Sequence, residues 1–241
     1  MRKFILLFAL VVSGATIAQN SLMWNGAQWV ENESQTVSSS SSSVTTVFNP
    51  TTGKTWMDRN LGASQVASSP TNAASYGDLY QWGRGTDGHQ LRTSQTTTQT
   101  SGTLKPGHAM FIVSSSDWRH KYHPKSEPFV WNGLNGINNP CPSGFRLPTV
   151  AEWEAEIATW EPYQHGITTH TQRAYNSVMK LPVAGSRVGS TGQLMWEGQN
   201  GYYATSNSSG NLHNNLYFTN GELNFKISHR ASGHSVRCIK E

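Results

Sequence analysis

Cys141 and Cys238, the only two cysteines of this 241-residue chain, constrain its fold more than any other feature. In an oxidising compartment an even number of cysteines indicates a disulfide framework. A bond closing a loop of roughly one hundred residues would stabilise the fold by about 4 to 5 kcal/mol in the chain-entropy model. The alternative is a reactive thiol pair, although the two residues form no Cys-x-x-Cys arrangement.

The first eighteen residues have the layout of a cleavable secretory signal. Arg2 and Lys3 precede an apolar run over 4–12, and small residues close the segment before Gln19. A membrane-spanning helix needs roughly 20 apolar residues, so a retained transmembrane anchor is the weaker interpretation. Because no cysteine lies near the cleavage site, we expect an exported protein without a lipid anchor, either secreted, periplasmic or displayed on the cell surface.

The charge of the chain argues against nucleic-acid binding. The net charge is +4, from 18 basic and 14 acidic residues, and the signal segment carries two of the basic ones. The remaining Lys and Arg are scattered singly, whereas a nucleic-acid surface needs a basic patch or stripe. We therefore expect no nucleic-acid partner.

The chain divides into three parts. After the signal segment at 1–18, residues 19–47 contain six consecutive serines at 38–43, a composition that buries too little apolar surface to fold. We interpret 19–47 as an N-terminal segment with a flexible tether. Residues 48–241 are expected to form one domain, rich in Gly, Asn, Ser, Thr and aromatics.

The pattern of the domain predicts an α+β fold of mainly short antiparallel strands, one clear helix and long irregular loops. Thr149 and Glu152 form a capping box, and apolar residues follow at helical spacing up to Trp160, so a helix is expected over 149–160. Glu152, Glu154 and Glu156 are expected to be solvated or capping. Predicted strands lie at 54–61, 78–82, 177–184, 201–206, 215–218, 223–227 and 235–240, and the Asn220-Gly221 pair predicts a hairpin.

Six phrases occur along the chain in a fixed order. They are GKTWMDRNLG at 53–62, YGDLYQWG at 76–83, CPSGFRLPT at 141–149, LPVAGSR at 181–187, GYYATS at 201–206 and SVRCIK at 235–240. In that order they closely resemble the Fibrobacter succinogenes major paralogous domain, a family of exported bacterial surface and secreted proteins. The resemblance covers about 48–241.

The resemblance implies a C-type lectin-like fold, in which the two ends of the domain meet in a small sheet. It also implies that the strand before Thr149 packs near the final strand, which would bring Cys141 beside Cys238. The phrase at 146–149 is similar to the formylglycine-generating enzyme family as well, but that family's active-site cysteines and metal have no counterpart here. Sugar-binding lectins of the fold use Glu-Pro-Asn or Gln-Pro-Asp, whereas this chain has Glu127-Pro128-Phe129, so calcium-dependent sugar binding is unsupported.

The sequence offers no catalytic set. No Gly-x-Ser-x-Gly elbow is present, and acidic residues are sparse outside the helix. Asp58 and Asp78 are expected to tie turns or to pair with Arg59 and Arg84. We expect no cofactor, although a structural calcium ion stays an open possibility, and no metal site, although zinc ligands could be assembled from His108, Asp117, His120 and His123.

Four aromatic residues lie in loops rich in Gly and Asn, where they are candidates for a contact surface: Trp118, Tyr122, Trp131 and Trp196. The alternative for each is to fill a cluster beneath its loop. We expect a non-catalytic module that binds a glycan, a protein or an envelope component through loops 84–139 and 185–200. An exported oxidative enzyme and a structural component of a surface assembly are the competing hypotheses, and the oligomeric state is not specified by the sequence.

Overall fold

A computed structural model describes residues 22–24, 29–31, 44–120, 130–166 and 168–241. The predicted signal segment and the serine run therefore lie outside the described residues. The chain divides into two units, Met1–Ser43 and Val44–Glu241. In the first unit, two short strands pair antiparallel, with Trp24 opposite Trp29.

The fold contains both helices and strands, which confirms the α+β prediction. The helices are α1 (Val150–Ile157) and α2 (His170–Asn176), with a 3-10 turn at Ala73–Ser75. The strands in chain order are β1 (Leu22–Trp24), β2 (Trp29–Glu31), β3 (Thr46–Asn49), β4 (Lys54–Met57), β5 (Tyr80–Gln81), β6 (Thr96–Thr97), β7 (Phe111–Ile112), β8 (Phe145–Arg146), β9 (Ser186–Arg187), β10 (Leu194–Met195), β11 (Gly201–Ser209), β12 (Leu212–Phe218), β13 (Leu223–His229), β14 (Gly233–His234) and β15 (Ile239–Lys240).

The beginning and the end of the second unit meet in one four-stranded sheet of order β3-β4-β15-β8. Ile239 lies between Trp56 of β4 and Arg146 of β8, antiparallel to both. The predicted domain start at 48 falls inside β3, because Thr46 already pairs with Met57.

The disulfide between Cys141 and Cys238 is present, with the two Cα atoms 5.9 Å apart. Its position follows from the pairing of β8 with β15, because Cys141 precedes β8 and Cys238 immediately precedes β15. The bond confirms the structural interpretation of the two cysteines, and neither thiol is free.

A three-stranded antiparallel sheet of order β11-β12-β13 covers the main core. The predicted hairpin is confirmed, since the four residues after Phe218 return the chain to Leu223 and Thr219 N–H donates to the carbonyl of Glu222 at 2.8 Å. Helix α1 packs against the inner face of this sheet through Trp153, whose ring lies 4.8 Å from that of Trp56 and 5.8 Å from that of Tyr203. Aromatic rings thus supply the bulk of the core.

A buried arginine joins the segments behind this core. Arg237 donates to the Asn60 side-chain oxygen at 2.9 Å and to the carbonyl of Met179 at 2.7 Å. Tyr203 in turn donates to the carbonyl of Pro182 at 2.7 Å. Burial lowers the pKa of Arg237 to about 10, so it stays charged at neutral pH.

Helix α1 begins at the predicted capping box, with both reciprocal hydrogen bonds between Thr149 and Glu152 formed. Glu152 also binds Arg146 at 2.7 Å, which ties the helix to β8. The expectation that Glu156 is solvated is wrong. Its side chain is buried, accepts a hydrogen bond from Asn49 at 2.7 Å, and has a raised pKa because of burial.

Helix α2 was not predicted, although Thr169 and Gln172 form a second capping box there. Conversely, the strand predicted at 177–184 is absent. The segment is buried but takes its hydrogen bonds from loops, since Val183 N–H donates to Pro70 and Leu181 N–H to Ala174. Pro182 has no N–H to give to a neighbouring strand, which explains why the apolar run does not join a sheet.

Asp58 and Asp78 differ in their environments. Asp58 pairs with Arg59 at 2.7 Å, as expected. Asp78 does not pair with Arg84. It lies against Gly62, where a β-carbon would come within 2.4 Å of the carboxyl group, and Arg84 pairs with Asp87 instead. Asp58 also accepts a hydrogen bond from the Thr45 hydroxyl at 2.9 Å, whereas burial raises the pKa of Asp78.

Replacing Cys141 and Cys238 together by alanine should lower the free energy of unfolding by about 4 to 5 kcal/mol, because the unfolded chain regains the entropy of the closed loop. Urea titration of both proteins followed by circular dichroism measures the difference. Equal midpoints for the variant and the oxidised parent would contradict this expectation.

Candidate functional site

Two of the candidate contact residues lie in the interior. Trp118 is 1 % exposed and Trp131 is 0 % exposed. Their indole N–H groups donate to the carbonyls of Trp82 at 2.7 Å and of Arg84 at 3.1 Å. Both rings therefore support the loop after β5 and present no face to a ligand. Tyr122, the third candidate, lies outside the described residues, as does His123.

The loops between β5 and β8 form an open groove of about 490 Å³, bordered by Thr86, Asp87, Lys105, His108, Ile137 and Asn138 among others. Asp87 is held there by the buried guanidinium of Arg84 at 2.7 Å and by His89 at 2.5 Å. Asn138 fixes the opposite wall by donating to the carbonyls of Gly83 and Leu104. The long predicted loop region is thus a built structure, although it contains only β6 and β7 among its described residues.

Trp196, the fourth candidate, lies at the surface in an unusual backbone conformation. Its side chain is 39 % exposed and its φ angle is +60°. A bulky residue in the left-handed region is an outlier, and such strain costs on the order of 1 to 3 kcal/mol. Residues in that conformation cluster at binding sites, so the outlier directs attention to the surface around Trp196.

The turn that carries Trp196 is fixed by its own hydrogen bonds and by contact with the preceding segment. The N–H groups of Gln199 and Asn200 donate to the carbonyl of Trp196 at 3.1 and 3.0 Å. Gly185 N–H donates to Asn200, and a β-carbon on Gly185 would come within 2.5 Å of the Met195 carbonyl. Glycine at 185 is therefore required for the turn to approach so closely.

Arg92 secures the same turn from the side. Its guanidinium binds the Glu197 carboxylate at 2.8 Å and donates to the carbonyl of Ala184 at 2.8 Å. It also donates to the carbonyl of Gly77 and lies over the ring of Tyr76. One cation thus links three loops behind Trp196 and holds its ring in place.

Next to Trp196, the outer face of the sheet carries a row of aromatic and polar side chains. The ring of Tyr202 lies 5.8 Å from that of Trp196 and 4.9 Å from that of Tyr217. Asn200 lies within 3.4 Å of the Tyr202 hydroxyl, and the Lys226 ammonium is 3.5 Å from the centre of the Tyr217 ring. We call these five residues, Trp196, Asn200, Tyr202, Tyr217 and Lys226, the Trp196 surface.

The phenol groups of the Trp196 surface stay protonated at neutral pH. Burial raises the pKa of Tyr202, and burial together with the nearby Glu222 carboxylate raises the pKa of Tyr217. Each hydroxyl can therefore donate as well as accept a hydrogen bond. The surface combines a partly exposed indole, one amide, the partly buried phenol of Tyr202, the phenol of Tyr217, which is only 7 % exposed, and an ammonium paired with Glu222.

Two buried histidines support Tyr202 from within. The ring of His234 stacks on that of Tyr202 at 5.3 Å, and the ring of His213 lies 5.0 Å from that of His234. Burial lowers the pKa of His234 to about 3 and lowers that of His213 well below its ordinary value. Both rings are neutral at physiological pH and serve as packing beneath the surface.

A close Asp–His contact, between Asp87 and His89, is not arranged for catalysis. His89 is buried, and its Nε2 atom accepts a hydrogen bond from the backbone N–H of Gln81 at 3.0 Å. With Nδ1 on Asp87, both ring nitrogens are engaged, so the imidazole has no atom left to take a substrate proton.

Of the zinc ligands considered in the sequence, Asp117 binds Arg119 and His108 accepts from Met110 N–H. Within 44–120, 130–166 and 168–241, no three His, Cys, Asp or Glu side chains are grouped to hold a metal ion. No helix in these ranges is long and apolar enough to cross a membrane.

Comparison with protein-family models, with characterised proteins and with solved structures finds no match to the chain. The function is therefore inferred from the geometry of the Trp196 surface. Sequence reasoning identified Trp196 but missed its partners, because the search for contact residues was confined to loops and Tyr202 and Tyr217 lie in predicted strands. The alternation of β11 and β12, which places 202 and 217 opposite each other on one face, is the signal that could have found them.

The free energy of unfolding should fall as the pH is lowered from about 6.5 to about 4. His89 has an ordinary pKa of 6.5, and burial lowers it to about 4 in the folded protein, so between these values the unfolded chain binds more protons. His89 alone should contribute a loss of roughly 3 kcal/mol, with His213 and His234 acting in the same direction. Urea titrations at pH 7, 5.5 and 4 measure the loss, which His89→Gln should reduce. A stability independent of pH across this window would refute the assignment.

Replacing Trp196 by Asn should leave the free energy of unfolding unchanged or raise it by up to about 1 kcal/mol, because Asn adopts the left-handed conformation at lower cost. Truncation of the buried Trp131 to Ala should instead cost about 3 to 5 kcal/mol. Urea titration compares the two variants with the parent. A loss above about 2 kcal/mol in Trp196→Asn would mean that the indole serves the fold.

Proposed function

We propose that this protein is an exported, non-catalytic module of the C-type lectin-like fold that binds a glycan on the Trp196 surface. The observation that carries the proposal is a bulky residue held in a strained conformation with its ring exposed beside a row of hydrogen-bonding aromatics. Contacts of the turn with Gly185 and Arg92 sustain this conformation, and they leave 39 % of the Trp196 side chain exposed to meet a ligand.

The chemistry of the surface suits a sugar. A pyranose ring has a face of C–H bonds that packs on an aromatic face, and a rim of hydroxyls that need donors and acceptors in matched positions. Trp196 offers the aromatic face, while Asn200, Tyr202 and Lys226 offer the polar groups within one or two side-chain contacts of it. A neutral glycan fits this set best, because the Lys226 ammonium is already paired with the Glu222 carboxylate at 3.2 Å.

The absence of catalysis is part of the proposal. The disulfide uses both cysteines, so the thiol chemistry of the formylglycine-generating family has no free cysteine to proceed through. The Asp87–His89 pair lacks an available base nitrogen. Mass spectrometry of the unreduced protein with metal analysis tests the enzymatic alternative, which a stoichiometric metal or two free thiols would favour.

The fold and the location are supported by the arrangement of the second unit. Both of its ends enter one sheet, and a disulfide closes beside the last strand, as the resemblance to the Fibrobacter succinogenes major paralogous domain family implies. A disulfide is compatible with an oxidising compartment. We therefore propose that the signal segment is cleaved and that the protein acts in the periplasm, at the cell surface or in the medium, without a lipid anchor.

Trp196→Ala should weaken glycan binding by roughly tenfold or more, because truncation of an aromatic residue at the centre of a binding surface typically costs above 1 kcal/mol. A glycan array identifies the ligands of the parent protein, and titration calorimetry with the best one measures the loss. Trp196→Phe should retain most of the affinity, since it keeps an aromatic face.

Tyr163→Ala is the matched control. Tyr163 is 41 % exposed, close to the value for Trp196, but its ring partners are His165 and His170 rather than members of the Trp196 surface. The control should bind like the parent. Equal losses in both variants, or an array on which the folded parent binds nothing, would contradict the proposal and favour a structural role in a surface assembly.

A further inference from the structure

Strand β13 forms an open edge of the three-stranded sheet. In the sheet order β11-β12-β13 it pairs with β12 over all seven of its residues, and within the described ranges no strand pairs with its other side. An edge strand of this length offers unpaired backbone groups to another chain, and proteins normally shield such edges. The side chains along β13 show which kind of chain would fit.

The hydrogen-bond pattern between β12 and β13 shows which backbone groups of β13 point outward. Thr219 N–H donates to Glu222 and Arg230 N–H donates to Asn211, so the hydrogen-bonded pairs with β12 fall at 224, 226 and 228. The backbone N–H and C=O groups of 223, 225 and 227 therefore point away from β12. Asn224 Oδ1 accepts from the N–H of Phe225 at 2.8 Å, a contact that one side-chain rotation would release.

An exposed apolar side chain and an unfilled groove accompany this edge. Ile227 is 66 % exposed, more than any other large apolar side chain among the described residues. A groove of about 330 Å³ lies between α1 and β13, bordered by Glu154, Ile157, Ala158, Leu223, Asn224 and Phe225 and therefore mainly apolar with one carboxylate. Residues 223, 225 and 227 share one face of the sheet, so the protruding residue and the groove lie on the same side of the edge.

We propose that two copies of this chain pair through β13, antiparallel and centred on Phe225, to form one continuous sheet with three strands from each copy. In that register Leu223 lies opposite the partner's Ile227. Each Ile227 then enters the groove of the other copy. The surface is self-complementary, as a two-fold interface requires.

Charge favours this register over its neighbours. With Phe225 at the centre, Lys226, which pairs with Glu222 of its own copy at 3.2 Å, lies opposite the partner's Asn224 and diagonal to the partner's Glu222, so the two ion pairs lie side by side. A register centred on Lys226 would place two ammonium groups directly opposite each other, which is unfavourable. The proposal goes beyond glycan binding and does not depend on it.

Sedimentation equilibrium of the purified protein, expressed from the full-length chain, tests the proposal from about 1 to about 100 μM. We expect a reversible dimer, and Ile227→Glu should raise its dissociation constant at least tenfold, because it puts a carboxylate among apolar side chains and beside the Glu154 carboxylate. Ile137→Glu is the control, since Ile137 is 63 % exposed in a loop remote from β13 in sequence, and it should dimerise like the parent. A monomer at every concentration, or a dimer equally stable in Ile227→Glu, would overturn the proposal.

Cysteine pairing tests the register. A mixture of Asn224→Cys and Lys226→Cys proteins should form a disulfide-linked heterodimer on mild oxidation, because 224 and 226 face each other across the two-fold axis. Lys226→Cys alone should cross-link much less. Preferential cross-linking of Lys226→Cys to itself, or no cross-linking in a mixture that sediments as a dimer, would overturn the register and with it the role of Ile227.

Discussion

The buried guanidinium of Arg237 is the interaction on which the second unit depends. It lies immediately before Cys238, has no carboxylate partner in hydrogen-bond contact, and donates instead to Asn60, Met57 and Met179. A buried cation costs several kcal/mol unless its N–H groups are satisfied, so these neutral acceptors must all be in place at once. The requirement fixes the end of β4, the segment after α2 and the last strand relative to one another.

The Trp196 surface follows from that arrangement. The segment after Met179 continues through Pro182, which accepts from Tyr203, to Gly185, on which the Trp196 turn rests. Tyr203 and Tyr202 are neighbours on β11, one facing the core and the other the surface. The rigid interior therefore sets the position of the exposed ring, and the strain at Trp196 is sustained by contacts that the core already provides.

Sequence signals were reliable where residues close to each other in the chain form the contacts. The capping box at Thr149 and the Asn220-Gly221 turn each satisfy backbone groups within four residues, and both form as expected. Helix α2 carries the same capping signal but lacks a clear apolar stripe, so it was missed. The segment at 177–184 was misassigned because its apolar residues are buried by loops, which a strand pattern cannot distinguish from burial in a sheet.

Long-range contacts were harder to predict. Trp118 and Trp131 are in the interior because two backbone carbonyls more than thirty residues away accept their indole hydrogens, and nothing near them in the sequence shows this. The positive φ of Trp196 was equally invisible, since it arises from the packing of Gly185. The disulfide was the exception, because only one pairing exists for two cysteines.

That disulfide also has a mechanical consequence. Because both ends of the second unit lie in one sheet, tension along the chain would act first on the few hydrogen bonds of β3 and β15. The loop from Cys141 to Cys238, which are 97 positions apart, could not be drawn out, which removes about 340 Å of extensible contour. Helix α1, the Trp196 turn and the β11-β12-β13 sheet all lie inside that closed loop. The part of the molecule that we propose to hold a ligand is therefore shielded from tension borne by the chain ends.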